Sequence, residues 1–324
     1  MNVLIIGGAG FLGYSLAQFL SKKKMSVDVV DDFSRRSSTK DIHILEQNKH
    51  IKVINKNLFD LYKGNELKND YNVIFHFAAI VGVDNVINNP YETLSKNILL
   101  SDIAIKIAKM QKNLNKFLFT STSEVYSGAI EQEIASIPTS EQTKLIIENT
   151  HPKRSTYKLS KIVGESLCIN SGLPVTIFRP HNIYGPRMGM SHVIPELIKK
   201  ILLLKSGEKL DVFSVNHTRT FCHINDAVKL FYEGMHNNMT DNEILNMGTH
   251  EPEIKIIELA KLLCKLSEKN IQINPQQPQE GSISRRCPDM SKTKKLTNYK
   301  PSVDLEEGLA ETFKWYKKNI SIYS

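Results

Sequence analysis

The 324 residues are 41% hydrophobic and 23% charged, enough apolar material for one large α/β domain or for two lobes with a good core. The formal net charge of +8 comes from scattered lysines without a long basic run or interleaved aromatic residues, so no nucleic-acid partner is predicted. No apolar run reaches about eighteen residues, and residues 1–20 begin as a strand rather than a signal peptide, which predicts no membrane contact and a cytoplasmic location.

The first element is an apolar strand pattern over residues 2–6, which runs directly into a glycine-rich stretch and then into a helical pattern over residues 14–23. Spaced glycines allow a tight turn, the close approach of a pyrophosphate and close helix–strand packing, with the helix N-terminus facing the phosphates. The order of strand, glycines and helix therefore predicts a dinucleotide-binding loop, which contains Gly7, Gly10, Phe11, Leu12 and Gly13.

A second apolar run, residues 27–30, ends in Asp31. An acid at the end of this strand can bind the adenosine ribose hydroxyls and would repel a 2′-phosphate. NAD is therefore the predicted cofactor, in preference to NADP. Arg35 and Arg36 temper this preference, because a nearby arginine can accept the 2′-phosphate.

Strand-like runs and helical patterns alternate along the rest of the chain, which is typical of a parallel sheet wound on both faces. Further strands are predicted at residues 51–55, 72–76, 116–121, 174–179 and 244–247. Helices are predicted at residues 90–111, 155–170, 192–204 and 254–267. Residues 274–284, rich in Gln and Pro, are interpreted as a substrate-side loop.

The predicted fold class is α/β, with a Rossmann-like doubly wound parallel sheet and a smaller C-terminal substrate lobe. We expect residues 1–179 plus about 213–248 to form the NAD-binding lobe. Residues at about 180–212 plus 249–324 are expected to form the substrate lobe over the carboxyl ends of the strands, where the crevice of such a sheet lies.

Tyr157 and Lys161 carry the clearest chemical signal, because four residues along a helix bring a phenol and an ammonium onto one face, one turn apart. A nearby ammonium favours the phenolate and lowers the pKa of a phenol from about 10 towards a working pH. Tyr157 is therefore the predicted general base for a substrate hydroxyl, and the hydroxyl of Thr122 would hold the same substrate oxygen.

The cysteines and histidines predict no metal site. The four cysteines show no Cys-x-x-Cys spacing, so neither a disulfide framework nor a zinc site is indicated. His76 is interpreted as a packed or cofactor-lining residue rather than a catalyst, and His181 either faces the substrate or packs beside it.

These segments together resemble an extended short-chain dehydrogenase/reductase, specifically the nucleotide-sugar epimerase/dehydratase/decarboxylase family, nearly end to end. The glycine loop and Asp31 are similar to the family's cofactor loop and ribose acid. The run His-Phe-Ala-Ala at residues 76–79 resembles the segment that lines the cofactor after the fourth strand. The resemblance implies cofactor contacts from Gly7, Gly10, Phe11, Leu12, Gly13, Asp31, Asp32, Asn57, Leu58, Phe77, Ala78, Ala79, Tyr157 and Lys161.

Three later segments resemble the parts of the family that bind the diphosphate or the sugar. They are Arg-Pro-His-Asn-Ile-Tyr-Gly-Pro at residues 179–186, Arg-Thr-Phe-Cys-His-Ile-Asn-Asp at 219–226 and Arg-Cys-Pro-Asp at 286–289. The substrate contacts implied are His181, Asn182, Arg187, Arg219 and Arg286. The chain departs from the family where Lys56-Asn57-Leu58 replaces the usual Gly-Asp-Leu/Ile, so an Asn amide would read the adenine.

The resemblance implies a reaction that starts with oxidation of a sugar hydroxyl, at C4, by Tyr157 as base and NAD as hydride acceptor. The 4-keto sugar then leads to epimerisation or dehydration. The alternatives are decarboxylation of a uronic acid, release of the keto sugar by a dehydrogenase, or a non-catalytic NAD-binding regulator on the same fold. A regulator would be expected to lose the Tyr–Lys pair or the threonine, and this chain keeps all three.

Glu124 is the residue that discriminates among these outcomes. A carboxylate after Thr-Ser is similar to GDP-mannose dehydratases, where it serves as base at C5, and to UDP-glucuronate decarboxylases. The dTDP-glucose dehydratases have Asp where this chain has Ser123. Alternatively, Glu124 caps or pairs locally. The predicted catalytic set is Thr122, Ser123, Glu124, Tyr157 and Lys161.

Arg286 leaves its ligand open, because a guanidinium can hold a carboxylate bidentately or bind a phosphate. The helices at 90–111 and 155–170 have apolar faces, and in the family these helices form a four-helix dimer interface. A homodimer is the expectation. The proposed partner is a nucleotide-diphosphate sugar, and a cationic cleft for it would explain part of the net charge.

Overall fold

A computed structural model describes residues 1–34, 39–147, 150, 152–278 and 283–320 of the chain. Its centre is a seven-stranded parallel sheet with the strand order β11-β6-β5-β4-β1-β2-β3. The strands are β1 (Asn2–Ile6), β2 (Ser26–Asp31), β3 (Ile51–Asn55), β4 (Val73–His76), β5 (Lys116–Thr120), β6 (Val175–Pro180) and β11 (Glu243–Met247). The order reverses direction beside β1, as in other doubly wound sheets.

Helices cover both faces of this sheet because its strands are apolar on both sides. In β1, Val3 and Ile5 point into one core cluster, while Leu4 and Ile6 point into the other. The first face is covered by α1 (Phe11–Lys22) and α9 (Ile224–His236), and the second by α3 (Leu58–Lys63), α5 (Pro90–Lys109) and α7 (Ser155–Ile169). The remaining helices around the sheet are α2 (Thr39–Glu46), α4 (Val83–Asn88) and α6 (Ser127–Glu131).

A third core cluster lies beyond the carboxyl ends of the strands. It is built from α8 (Val193–Leu203), α10 (Ile256–Leu266), α12 (Leu305–Asn319) and the parallel pair β8 (Lys209–Phe213) and β13 (Gln272–Gln276). Short strands link it to the sheet: β7 (Ile183–Tyr184), β9 (Thr218–Arg219), β10 (Cys222–His223), β12 (Ile254–Lys255) and β14 (Arg285–Arg286). These elements are the structural basis of the proposed substrate lobe.

The C-terminal segment does not stay in that third cluster throughout. Helix α11 (Ser291–Thr297) packs back on the edge strand β11, where the hydroxyl of Thr293 donates to the carbonyl of Asn246 at 2.7 Å. Met290 and Tyr299, at the two ends of α11, belong to the core on the α1 face of the sheet. The division into residues 180–212 plus 249–324 remains a proposal, and in it α11 belongs with the sheet.

The Rossmann-like fold class is confirmed, and the predicted sheet strands lie within two residues of the observed ones. The loop predicted at 274–284 is wrong in part, because Gln272–Gln276 is a strand, and residues 279–282 lie outside the described residues. The helix predicted at 254–267 begins two residues later, since Ile254–Lys255 pairs with β9. Arg35 and Arg36 also lie outside the described residues. Within the described part of the chain, no helix is both long and apolar enough to cross a bilayer.

Candidate active site

A cleft of about 440 Å³ opens at the carboxyl ends of β1, β4, β5 and β6, the place where parallel α/β sheets bind ligands. Most of the sequence-predicted site residues line it, although they come from segments far apart in the chain. They are Gly7, Gly10, Phe11, Leu12, Gly13, Phe77, Ala79, Thr122, Ser123, Glu124, Tyr157, Lys161, Asn182 and Arg286.

Two glycines of the first loop are required by the protein itself. Gly7 has a φ of +80°, and a Cβ there would lie 2.5 Å from the backbone nitrogen of Ala78. A Cβ at Gly13 would lie 2.6 Å from the carbonyl oxygen of Gly7. The predicted contact residue Ala78 is therefore the floor under the loop and does not line the cleft.

Gly10 differs from these two, because nothing in the protein requires a glycine at its position. Its φ is −71°, and an added Cβ would approach no heavy atom closer than 3.5 Å. Gly10 is also the N-cap of α1, makes no side-chain cap and faces the cleft, so the first N–H groups of the helix are open to a ligand. Exposed backbone N–H groups at this helix terminus are suited to binding the pyrophosphate of NAD.

Asp31, which is predicted to bind the adenosine end of NAD, is hydrogen-bonded to the protein backbone. The carboxylate of Asp31 accepts from the backbone N–H groups of Ala9 and Phe33, both at 3.0 Å. These two bonds anchor the glycine loop to the end of β2.

Asp32 and Asn57 lie beside it and bond to each other. The Asn57 Nδ2 group donates to Asp32 at 3.0 Å, and its Oδ1 caps α3 by accepting from the N–H of Phe59 at 3.0 Å. The side chain of Leu58 is buried in the core at 4% exposure, so the predicted contact of this residue with the cofactor would have to be made by its backbone.

Tyr157 and Lys161 lie one turn apart on α7, and both face the cleft. The Lys161 ammonium is 6.0 Å from the centre of the Tyr157 ring and donates to the carbonyl of Thr120 at 2.8 Å. Burial lowers the pKa of Lys161 to about 8, against the opposing influence of Cys168 and Glu165. The amine is thus held beside the phenol, and its charge changes at a lower pH than that of an exposed lysine.

Thr122 enters the cleft from the opposite wall, just after β5. It begins the 3₁₀ turn Ser123–Tyr126, and its hydroxyl oxygen accepts from the N–H of Glu124 at 3.2 Å. This cap uses one lone pair of the hydroxyl oxygen. The O–H group itself stays available to donate a hydrogen bond to a ligand in the cleft. The predicted pair of Thr122 and Tyr157 therefore faces one common space.

A buried ion pair lies directly behind these groups. Glu165, one turn after Lys161, accepts two hydrogen bonds from Arg179, at 2.8 and 2.6 Å. The same carboxylate accepts from the hydroxyl of Ser121 at 2.5 Å. Helix α7, strand β6 and the segment that leads into Thr122 are thereby tied together.

Glu124, Arg154 and Arg286 form the far wall of the cleft. The Arg154 Nη2 atom is 3.7 Å from a carboxylate oxygen of Glu124, and the two side chains are 47% and 27% exposed. Burial lowers the pKa of Arg286, Glu124 raises it, and Arg154 lowers it further. The wall therefore holds two cations and one anion, and a second carboxylate, that of Glu131, also lies within electrostatic reach of Arg286.

Asn182 joins the main cleft to a smaller one of about 190 Å³, which Arg219 lines. Asn182 has a positive φ of 43° and donates through Nδ2 to the carbonyl of Thr220 at 3.0 Å. Arg219 donates to the carbonyls of Thr218 and Ile283 at 2.7 and 2.6 Å. Both predicted substrate residues thus lie at the junction between the sheet and the third cluster.

Two predicted substrate residues do not line either cleft. His181 is 3% exposed, bonds Asn246 at 3.2 Å and has a pKa lowered to about 3 by burial, so it packs rather than faces a substrate. Arg187 donates to Asp41 at 2.8 Å and lies between the rings of Tyr14 and Trp315. Neither side chain lies at a cleft wall, because the partners that hold these side chains come from distant segments. For His181 the structure favours packing, one of the two alternatives left open by the sequence.

Arg154 is a cleft residue that the motifs did not identify. It immediately precedes α7 and stands three residues before Tyr157, close to one helical turn. This spacing from the predicted base was the available signal, since a side chain one turn away points to the same side. Ser121 was missed for a different reason, because its partner Glu165 lies 44 residues away.

Comparison with known proteins places this geometry among NAD-dependent sugar-nucleotide enzymes. Residues 3–248 match the model of the NAD dependent epimerase/dehydratase family. The UDP-N-acetyl-alpha-D-glucosaminuronate decarboxylase of Bacillus cytotoxicus is 33% identical over 330 positions, which cover 97% of each protein.

Two solved structures are similar over their whole length. The UDP-glucuronic acid 4-epimerase of Bacillus cereus, in complex with UDP-glucuronic acid and NAD, has a TM-score of 0.83 and 28% identity, covering 98% of this chain and 99% of that one. The UDP-glucose 4-epimerase of Thermotoga maritima, with UDP-glucose, has a TM-score of 0.84 and 25% identity, covering 99% and 100%.

Proposed function

This chain belongs to the NAD-dependent epimerase/dehydratase family, as its motifs predicted, and we propose that it modifies a nucleotide-diphosphate sugar by first oxidising the C4 hydroxyl. The observation that carries the proposal is the meeting of Tyr157, Lys161 and Thr122 in one cleft with the bare helix terminus at Gly10. These are the groups that proton removal and dinucleotide binding require.

In this proposal Tyr157 takes the proton of the C4 hydroxyl while Thr122 donates to the same oxygen. The charged Lys161 favours the phenolate form of Tyr157 and is held in place by the carbonyl of Thr120. NAD, bound along the glycine loop and Asp31, supplies the hydride acceptor and later the hydride donor. The buried Glu165–Arg179 pair keeps both walls of the cleft at a constant separation.

The second step depends on what the sugar carries at C6. Return of the hydride to the opposite face of C4 gives the epimer whatever that substituent is. With a C6 hydroxyl, Glu124 removes the C5 proton, and the C6–O bond breaks as the leaving oxygen takes up a proton from the site and departs as water. Return of the hydride to C6 and of a proton to C5 then gives a 4-keto-6-deoxy sugar. Epimerisation and dehydration are the outcomes proposed for a neutral hexose.

Decarboxylation is the second candidate, and the pair of arginines at Glu124 favours it. With a C6 carboxylate, the C5–C6 bond breaks, carbon dioxide leaves, and the electron pair passes to C5 and the C4 carbonyl as an enolate. A proton from the site is then added to C5 in place of the lost carboxyl group, and return of the hydride to C4 gives a pentose. The decarboxylase of Bacillus cytotoxicus supports considering this route without deciding between the two.

Product masses separate these routes. Purified protein with NAD is mixed with UDP-, GDP-, CDP- and dTDP-sugars, uronic acids included, and the products are weighed and examined by NMR. Loss of water identifies a dehydratase, loss of carbon dioxide a decarboxylase, loss of two hydrogens a dehydrogenase, and a new sugar of the same mass an epimerase. If no sugar turned over while NAD still bound, the enzymatic proposal would be contradicted and the regulator favoured.

We also propose a homodimer built on α5 and α7, which pack against each other. Tyr91 and Leu99 on α5 are 77% and 45% exposed, and Ile169 at the end of α7 is 38% exposed, so apolar surface is available on this pair. Light scattering at micromolar concentration tests the proposal, and a monomer would contradict it. A cytoplasmic location remains a prediction from the sequence, and we propose a role in the synthesis of surface-polysaccharide precursors.

A further inference from the structure

Arg187 joins elements from both parts of the molecule. Its Nε atom donates to the carboxylate of Asp41 on α2 at 2.8 Å. Its guanidinium lies 4.4 Å from the ring centre of Tyr14 on α1 and 5.3 Å from the ring centre of Trp315 on α12. Helices α1 and α2 pack on the sheet, whereas α12 belongs to the third core cluster. One side chain therefore bridges the sheet and the substrate side of the cleft.

The backbone of Arg187 is in a conformation that residues other than glycine rarely adopt, with a φ of +72°. Such a residue persists only where its surroundings hold it, and positions of this kind cluster where exact placement serves a function. The ion pair is partly shielded from water, because the Arg187 and Asp41 side chains are 24% and 13% exposed. The contacts of the side chain thus fix the chain where it enters the next segment.

That segment, residues 188–194, forms one wall of the main cleft and is called the strap below. Its cleft-lining members are Met188, Gly189, Ser191, His192, Val193 and Ile194. Val193 lines the smaller cleft as well. The far side of the strap packs in the third core cluster, where the hydroxyl of Tyr316 donates to the carbonyl of Met188. The position of the strap therefore determines the space that both clefts offer to a ligand.

The partners of Arg187 on the sheet side lie on the elements that are proposed to hold NAD. Tyr14 is on α1, one turn after Phe11, and the N-terminus of this helix faces the cleft at Gly10. Asp41 lies in the first turn of α2, the helix that follows β2 and its terminal Asp31. A pyrophosphate at the N-terminus of α1 would hold this helix in place. NAD would thereby stabilise the contacts of Arg187 and, through them, the strap.

We propose that Arg187 is a positioning residue that couples the binding of NAD to the binding of the nucleotide part of the substrate. It acts through the strap, whose wall takes its ligand-binding position when NAD holds α1. The identity of the two ligands rests on the proposed function. Because such a coupling is reciprocal, the nucleotide also strengthens the binding of NAD by the same factor.

Calorimetric titration of the full-length protein with UDP, without NAD and with saturating NAD, measures the coupling without turnover. The test variant is Arg187→Asn, since asparagine tolerates a left-handed backbone but is too short to reach Asp41. The matched control is Lys292→Gln, which breaks the 2.7 Å ion pair with Glu243 on the sheet alone. We expect NAD to raise the affinity for UDP about tenfold in the unmodified protein and in the control. In Arg187→Asn this factor should vanish, while the affinity of the NAD-free protein for UDP stays nearly unchanged.

Two results would overturn the proposal. Equal affinity of the unmodified protein for UDP with and without NAD would show that no coupling exists. A variant Arg187→Asn that keeps the tenfold factor and only melts at a lower temperature would reduce this arginine to a support of the fold. If Arg187→Asn fails to fold, Asp41→Asn gives the second measurement, because it removes the ionic partner on α2 and should lower the same factor.

Failure of the proposed reaction would look different from failure of the coupling. A protein that shows the tenfold factor but never reduces its cofactor with nucleotide sugars contradicts C4 oxidation and leaves the role of Arg187 intact. Turnover of nucleotide sugars together with uncoupled UDP binding contradicts the coupling alone. No binding of UDP to the NAD-loaded protein would contradict the coupling as stated.

Discussion

The two ends of the cleft are built in different ways. The proposed phosphate-binding part of the cofactor end comes from one continuous segment, β1, the glycine loop and α1, where the groups available to a ligand are backbone N–H groups. The sugar end is assembled from the side chains of Glu124, Arg154 and Arg286, which lie on three separate segments. Between them stand Tyr157 and Lys161, supported from behind by the buried Glu165–Arg179 pair.

This difference explains why the cofactor end can bind dinucleotides in general, whereas the sugar end can select a particular sugar. A backbone cradle serves any dinucleotide of the right shape, and only glycine allows the chain to come so close. Side chains brought together by long loops can change independently, so charge at the sugar end can be matched to one substituent. Substitutions at the two ends should accordingly affect different measurements.

The largest effect on turnover is expected at Tyr157, which lies between the two ends and takes the proton of the C4 hydroxyl. Tyr157→Phe removes the base and should lower turnover about 10³-fold, because general base catalysis is typically worth between about 10² and about 10⁴. NAD affinity, followed by fluorescence titration, should stay unchanged. Turnover near the original rate would show that another group removes the proton.

The next largest effect is expected at the buried Glu165–Arg179 pair, which lies behind both ends of the cleft. Glu165→Gln leaves the buried guanidinium of Arg179 without a full counter-charge and should lower the free energy of unfolding by about 3–5 kcal/mol. The control is Glu196→Gln, which breaks the helix pair with Lys200 at the surface and should cost about 0.3–0.5 kcal/mol. Urea unfolding measures both, and equal losses would mean that the buried pair is not a special support.

At the sugar end, Glu124→Gln should separate the two halves of the reaction. The C4 oxidation should continue, whereas a second step that needs the carboxylate as base should slow about 10²-fold. Reduced cofactor would then accumulate, which absorbance detects. An unchanged rate of product formation would indicate that Glu124 only pairs with Arg154, or that the enzyme is a plain epimerase.

The contrast between the ends also explains what could be predicted from the sequence. The glycine loop, Asp31 and Tyr157–Lys161 were identifiable because their spacing within one segment carries the geometry. Long-range contacts gave no such signal. The contact of Arg187 with Asp41, 146 residues away, is one that spacing within a segment could not indicate.

The errors in the fold have the same origin. Residues 274–276 were interpreted as part of a loop because Pro and Gln disfavour strands. They nevertheless belong to a strand that pairs in parallel with β8, more than sixty residues away in the chain. His181 follows a central strand and looked like a ligand residue, but a tertiary contact with Asn246 holds it inside. Arg154 lies outside every motif, and only the folded chain brings it to Glu124.

Substitutions at two glycines test the cofactor end of the cleft. Gly10→Ala should weaken NAD binding about tenfold with thermal stability nearly unchanged, because its Cβ would come no closer than 3.5 Å to any protein atom and Gly10 lines the cleft. Gly13→Ala should lower the free energy of unfolding by about 1–3 kcal/mol, because its Cβ would lie 2.6 Å from a backbone carbonyl oxygen. Unchanged NAD affinity in Gly10→Ala would contradict the pyrophosphate site.

The smallest effect is the pH dependence. Burial lowers the pKa of Lys161 to about 8, so the useful charged form is present below that value and is lost as pH rises through it. Turnover should fall about fourfold between about pH 7 and about pH 8.5 in the unmodified protein. A rate that stays level through this interval would show that the charge on Lys161 is retained to higher pH.

The central claim, oxidation at C4, is tested most directly by rapid mixing of the NAD-loaded protein with nucleotide sugars that carry hydrogen or deuterium at C4. UDP-glucose and UDP-glucuronic acid are both used, and the absorbance of reduced nicotinamide is followed through a single turnover. The account predicts that this absorbance appears transiently and rises more slowly with the deuterated sugar. Product formation without reduced cofactor, or at a rate indifferent to the label, would contradict it.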